Sequence, residues 1–175
     1  MRKLKMDELN RLSEDDFKKA QKTPIRIVLD DVRSILNVGS VFRTSDAFRI
    51  EGIELCGLTP TPNREMRKTA LGAENSVDWK HHENTTEILK AFRKDGYTIY
   101  ALEQTHDSFS LDKLSVTPNQ KSVLVFGNEV KGVSEEALAL CDHVLEIPQI
   151  GTKHSLNISV SAGIALWEFF RQLIK

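Results

Sequence analysis

The feature that most limits what this chain can fold into is a repeated change of hydrophobic period along it. Short apolar runs rich in Ile, Val and Leu, "IRIVLDD" (25–31), "GIELCGL" (52–58), "YTIYALE" (97–103) and "KSVLVFG" (121–127), read as strands. "VDWKHH" and "HVLEIP" add two shorter ones. Helical patterns lie between them: "VGSVFRTSDAFRI", "TTEILKAFRKDG", "VSEEALALC" and the closing stretch 152–170. Thr85 or Thr86 can start the second of these helices and Gly96 can end it. "TPTPNREMRKTALGAENS" reads as loop with some helix, and Thr105–Asn119 as a polar loop. Strand–helix alternation of this kind predicts one α/β domain, a mainly parallel sheet flanked by helices. Ligands of such sheets bind beyond the carboxyl ends of the strands. Chemistry is therefore expected in the loops after Asp31, Glu103, Gly127 and Pro148.

The length, 175 residues, suits one such domain. With 40% hydrophobic and 28% charged residues the composition is that of a soluble globular protein. No apolar run approaches the roughly 20 residues of a membrane span. "MRKLKMDELNRLSEDDFKKA" has no secretory apolar segment. Leu4, Leu9, Leu12 and Phe17 sit near helical spacing, so residues 1–24 are expected to be a helical extension packed on a domain of residues 25–175. Cys56 and Cys141 are too few and too distant for a metal site or a disulfide framework. Reduced, buried thiols in a cytoplasmic protein are expected instead. Net charge is −1, but residues 1–70 carry 14 Lys/Arg against 11 Asp/Glu and residues 71–175 carry 10 against 14. A weakly basic first part is compatible with ordinary solvated charge and with a face that meets phosphates.

Three segments carry unusual residues. In "NVGSVFRTSDAF", Asn37 follows the first strand and is placed to cap the helix, and Gly39 permits close approach to the backbone. Arg43 is either a surface arginine or one aimed at a phosphate. In "VFGNEVKGVSEEAL", Glu129 lies on a loop between Gly127 and Gly132, solvated or set against a polar ligand. Ser134 with Glu135 and Glu136 starts the next helix. In "IPQIGTKHSLNISVSAG", Pro148 ends a strand, Gly151 permits a bend, and Ser155 and Asn157 begin a helix whose N-terminus offers free N–H groups. Ser159 and Ser161 are expected to back-bond within the helix. The later turns of that helix, through Trp167, Phe169 and Phe170, are apolar on more than one face, which suits either a dimer interface or the central helix of a monomer.

No G-x-G-x-x-G follows the first strand and no G-x-x-x-x-G-K-[ST] occurs anywhere, so dehydrogenase and P-loop readings are disfavoured. The histidines form no ligand cluster, and no metal is expected. No G-x-S-x-G elbow supports a Ser155 nucleophile.

Together the three segments resemble the motifs of the SpoU (TrmH-like) family of RNA 2′-O-ribose methyltransferases in the SPOUT superfamily. Asn37, Gly39, Arg43 and Thr44 fit N-x-G-x-x-x-R-T. Gly127, Glu129, Gly132 and Ser134 fit G-x-E-x-x-G-[LV]-S. Ile147, Pro148, Gly151, Ser155, Leu156 and Asn157 fit I-P-x-x-G-x-x-x-S-L-N. Val133 and Gln149 depart mildly from the usual Leu and Met. The resemblance spans roughly residues 25–173.

The resemblance implies a C-terminal trefoil knot, a homodimer and S-adenosyl-L-methionine as cofactor. It implies cofactor binding by Leu102, Gly127, Ile147, Leu156 and Ser155. Arg43 would bind the RNA phosphate beside the target ribose and help remove the hydroxyl proton. Asn37, Glu129, Ser155 and Asn157 would hold the arginine, the ribose and the loops. The expected substrate is RNA, tRNA in preference to rRNA, met by the catalytic domain and by basic residues such as Lys18, Lys19, Lys22, Arg33, Arg64, Arg67 and Lys68. The alternative is an inactive RNA-binding protein of the same fold.

Overall fold

The computed structural model describes residues 1–174, built on a single sheet of seven strands. In chain order the strands are β1 (Thr23–Asp30), β2 (Ile50–Cys56), β3 (Trp79–His82), β4 (Thr98–Leu102), β5 (Phe109–Ser110), β6 (Ser122–Phe126) and β7 (His143–Glu146). Their order across the sheet is β3-β2-β1-β6-β4-β7-β5, and every recorded pairing is parallel. The helices are α1 (Glu14–Lys19), α2 (Ile35–Ala47), α3 (Arg67–Ala70), α4 (Ala73–Ser76), α5 (Thr85–Lys94), α6 (Glu135–Leu138) and α7 (Ile158–Leu173).

The period-2 alternation of the central strands divides the core into two layers. Ile25, Ile27 and Leu29 of β1, Leu124 and Phe126 of β6 and Tyr100 of β4 pack on the side of α2 and α7. Val28, Val123, Val125, Ile99 and Ala101 point the other way, toward Leu89 and Phe92 of α5 and Ala137 of α6. Strands buried on both faces read as continuous apolar runs, which is why these segments stood out in the sequence. α7 buries Ile158, Ala162, Ala165, Leu166 and Phe169, a stripe at helical spacing. Pro24 lies inside β1, where the missing N–H coincides with a register shift between Thr23 and Arg26 in the ladder to β2.

Several boundaries differ from expectation, each for a local reason. β1 starts at Thr23, so the division at residue 24/25 falls inside a strand. Instead of one amphipathic helix, the N-terminal segment holds a 3-10 turn and the six-residue α1, and of its spaced apolar residues only Phe17 is buried. Asn37 does not cap α2. Ser34 does, its Oγ accepting from the Asn37 N–H, which leaves the Asn37 amide free for another task. Asn84 rather than Thr85 or Thr86 caps α5. The stretch 105–119 is not simply a polar loop: it contributes edge strand β5 and buries Leu111, Leu114 and Val116. α7 starts at Ile158, capped by Asn157, with Ser155 in the preceding turn.

Both cysteines are free, and burial pushes each thiol pKa up to about 12. A raised thiol pKa stabilises the fold below the ordinary value of 9.0, and that stabilisation is lost as pH rises through the folded value. Native protein should therefore be nearly inert to thiol reagents at neutral pH and label at both cysteines on unfolding, as mass spectrometry would read out.

Candidate active site

Four chain segments meet at the carboxyl edge of the sheet and enclose a cavity of about 400 Å³. Its wall comprises Leu102–Gln104 after β4, Phe126–Val130 and Gly132 after β6, Leu145–Ile147 and Gln149 from the end of β7, and Ser155–Ile158 with Ser161 from the start of α7. Leu102, Gly127, Glu129, Ile147, Ser155, Leu156 and Asn157 from the three motifs and the β4 edge thus line one space.

The loop after β6 is held in a compact form by its own backbone. Asn128 and Gly132 exchange N–H···O bonds of 2.9 and 2.8 Å, and Gly132 takes φ +73°. A Cβ at Gly127 would lie 2.0 Å from the Gly132 carbonyl carbon and the Val133 nitrogen, so only glycine fits there. This fold of the loop projects Glu129 toward the start of α2. Its carboxylate accepts from the Arg33 and Ser34 N–H groups, both at 3.0 Å, and from Asn37 Nδ2 at 3.2 Å. Asn37 Oδ1 in turn accepts from Asn157 Nδ2 at 3.1 Å, while Asn157 Oδ1 caps α7 through the Ser159 N–H at 2.8 Å. One chain of hydrogen bonds, Glu129–Asn37–Asn157, therefore ties together loops far apart in sequence.

The polar opening of α7 follows from this. Asn157 serves as cap and crosslink, Ser155 faces the cavity, Ser159 Oγ donates to Asn157 Oδ1 at 2.7 Å, and Ser161 Oγ back-bonds to the Asn157 carbonyl at 3.3 Å. Partial burial by itself would raise the Glu129 pKa. The amide donors of Arg33 and Ser34, its own N–H and the Asn37 side chain outweigh that and hold the carboxyl below the usual carboxylate range. A carboxylate held low is a poor proton acceptor near neutral pH, which makes Glu129 an anchor.

Arg43 lies outside this cavity. It is exposed on α2, six residues and about 9 Å of helix rise beyond Asn37. It lines a second cavity together with Arg11, Arg49, Phe48 and Phe170.

The structure adds residues that the motifs did not single out. Asp30, only 4% exposed, accepts from the Ser134 N–H at 2.9 Å, Ser134 Oγ at 2.7 Å and Thr85 Oγ1, fixing the far end of the Glu129 loop. Glu103 accepts from the Val133 N–H at 3.1 Å, and its carboxylate fills the space beside Gly132. Asn128 Nδ2 donates to the Asp31 carbonyl at 2.8 Å. Of these, only the place of Glu103 was marked in the sequence, by the loop expected after it. Several of their partners are backbone groups, which a sequence does not display.

Comparison with known proteins decides the family. The model of the SpoU rRNA Methylase family matches residues 24–167. This chain belongs to that family. Its curated relatives include a tRNA (guanosine(18)-2′-O)-methyltransferase of Thermus thermophilus, 30% identical over 92% of this chain and 81% of that protein. Another is the 23S rRNA (guanosine-2′-O-)-methyltransferase RlmB of Vibrio parahaemolyticus, 31% identical over 94% of this chain and 66% of that protein. Among solved structures, the A. aeolicus TrmH/SpoU tRNA modifying enzyme superimposes with TM-score 0.80 at 29% identity, covering 91% of this chain and 79% of the other. An AdoMet-bound rRNA methyltransferase from Sinorhizobium meliloti gives 0.81 at 28% identity, covering 91% and 61%. As a member of the family the chain is an S-adenosylmethionine-dependent RNA methyltransferase. The cavity suits that cofactor: Glu103, Glu129 and Glu146 line it, no Lys or Arg does among the described residues, and the ligand is a net cation, with a sulfonium and an ammonium against one carboxylate.

Gly127→Ala should weaken S-adenosylmethionine binding by at least about tenfold, because the new methyl displaces the 132–133 backbone that walls the cavity, as calorimetry would measure. The stabilisation from Glu129 is present above the usual carboxylate pKa and fades as pH falls through its depressed value. Urea midpoints of wild type and Glu129→Gln should therefore differ at neutral pH and converge in acid.

Proposed function

We propose that this chain methylates a ribose 2′-hydroxyl of tRNA, acting as a homodimer in the cytoplasm. The observation that carries the reading is the Glu129–Asn37–Asn157 chain at the cavity mouth, which favours catalysis over a decayed binder of the same fold. Leu102, Gly127, Ile147 and Leu156, with Ser155 beside them, would hold the cofactor. When bound, S-adenosylmethionine supplies an electrophilic methyl group on a sulfonium. A ribose hydroxyl is a weak nucleophile and must be oriented and relieved of its proton. Ser155 and Asn157 orient the ribose at the start of α7. Asn37 and Glu129 keep that turn registered against α2. Arg43 holds the phosphate beside the target ribose, and its fixed positive charge favours loss of the hydroxyl proton.

A C-terminal knot fits the sheet order, in which β4 lies between β6 and β7 while the loops after β6 and β7 crowd the same cavity. The homodimer reading rests on an exposed face shared by α2 and α7. Leu36, Arg43 and Ala47 line one helix; Val160, Ile164 and Trp167 line the other, with Trp167 leaning on Phe48 and Phe170. A second copy seated on this face covers the apolar side chains and carries Arg43 toward the partner's cavity, so each site would take its arginine from the neighbouring subunit. The preference for tRNA is supported by the relatives named as tRNA enzymes and by a neighbour titled for 2-OH methylation of C/U34 on tRNA, of which this chain covers 99%.

Arg43→Ala should abolish transfer while leaving S-adenosylmethionine affinity within a few-fold. Arg43→Ala and Asn157→Ala subunits, each inactive alone, should regain activity when mixed into heterodimers. Mixtures that stay inactive despite verified subunit exchange would place the arginine in its own subunit's site. Mapping 2′-O-methylated positions in RNA from cells lacking the gene identifies the target, and loss confined to rRNA would overturn the tRNA reading.

A further inference from the structure

The second cavity, about 760 Å³, lies between the N-terminal segment 10–17 and the corner where α2 turns into β2. Arg11, Arg43 and Arg49 line it, all three exposed, and among the described residues none of their side chains makes an ion pair or hydrogen bond. Two carboxylates share the wall, Glu14 and Asp46, and Asp46 already accepts from Ser76 Oγ at 2.6 Å. Phe17, Phe48 and Phe170 supply apolar lining.

Arg49 is the informative residue. It follows the end of α2 with φ +48°, in the left-handed region. Its N–H donates to the Asp46 carbonyl at 3.0 Å and its carbonyl accepts from the Thr23 N–H at 2.8 Å, closing the helix onto the first strand. Glycine or asparagine meets that backbone requirement with less strain. An arginine there is a local disadvantage unless its side chain is used, and no group of the described chain uses it.

We propose that this cleft is a docking track for the phosphates of the substrate RNA, with Arg49 as its anchor and Arg11 beside it. The proposal rests on the functional reading given above, in which Arg43 on the same cleft holds the phosphate next to the target ribose. Arg43 and Arg49 are six residues apart near the end of α2, so the track continues the backbone contact away from the reacting nucleotide. Guanidinium groups present paired donors that match phosphate oxygens. The cleft borders the face that a second copy would cover, but Arg11 is on the N-terminal segment and Arg49 at the α2–β2 corner, not on α7. Its row of cations suits an extended polyanion running past the subunit boundary better than a single small anion.

The test uses the full chain, unfractionated tRNA from cells lacking the gene, and binding isotherms across a range of KCl concentrations. Arg49→Gly removes the guanidinium and relieves the left-handed strain. It should weaken tRNA binding several-fold and reduce the slope of log affinity against log salt by about 1. Its melting temperature should equal or exceed that of wild type, and its S-adenosylmethionine affinity should be unchanged. Arg49→Lys, which keeps charge and strain, should retain most of the affinity. Lys90→Ala, on α5 across the sheet, should bind tRNA as wild type does. Wild-type affinity and salt slope in Arg49→Gly, or an equal loss in Lys90→Ala, would overturn the track. If wild type binds and methylates RNA while Arg49→Gly is unaltered, only the track fails. If wild type neither binds nor methylates tRNA or rRNA, the functional reading fails with it.

Discussion

The Glu129 carboxylate is the contact on which the rest of the site depends. It ties the loop after β6 to the backbone just before α2, and through Asn37 to the cap of α7. Each partner satisfies a need the fold creates. The Arg33 and Ser34 N–H groups precede a helix and lack intrahelical acceptors, as all such leading groups do. Asn157 must cap α7 with one end of its amide and has the other to spare. A single ionised group therefore fixes the relative placement of three elements without any side chain contributed for stability alone.

Around it the two faces of the molecule divide the labour. The apolar layers on both sides of the sheet hold the strand ends in register, and most charge lies at the edge and the periphery. Carboxylates meet backbone donors that would otherwise go unsatisfied: buried Asp30 under Ser134 and half-buried Glu103 under Val133. Elsewhere Glu54 is paired with Arg26 at 2.6 Å and His82 at 2.7 Å, so its burial is compensated. The loop carrying Glu129 is thus pinned at its base from β1 and from β4 before its tip reaches α2.

Much of this was legible in the residues. The apolar runs located the principal strands and helices because parallel strands buried on both sides leave no polar interruption. Gly127, Glu129, Gly132, Ser155 and Asn157 stood out because glycines and lone polar groups between apolar runs are costly without a purpose. What escaped was decided by geometry beyond local pattern. Ser34 took the cap that Asn37 was expected to fill, because α2 begins at Ile35, ahead of the Val38 start that the sequence pattern suggested. Leu4, Leu9 and Leu12 have the spacing of a helix face, yet all three are exposed and the segment forms only a 3-10 turn and the six-residue α1. Leu111, Leu114 and Val116 are apolar positions in a stretch that reads as polar, because their spacing follows neither helix nor strand. The position of Arg43, outside the cavity, is a fact about tertiary direction that spacing along α2 does not encode.

The bond from the Arg33 N–H to Glu129 spans 96 positions of chain, and β1 lies directly against β6, also late in the sequence. During synthesis the first strand and the first motif are complete long before their partners exist. Asn157 and α7 arrive later still. A prematurely terminated product consequently carries the arginine of α2 but no assembled cavity, so competence is acquired in one late step and shortened chains cannot act on RNA halfway.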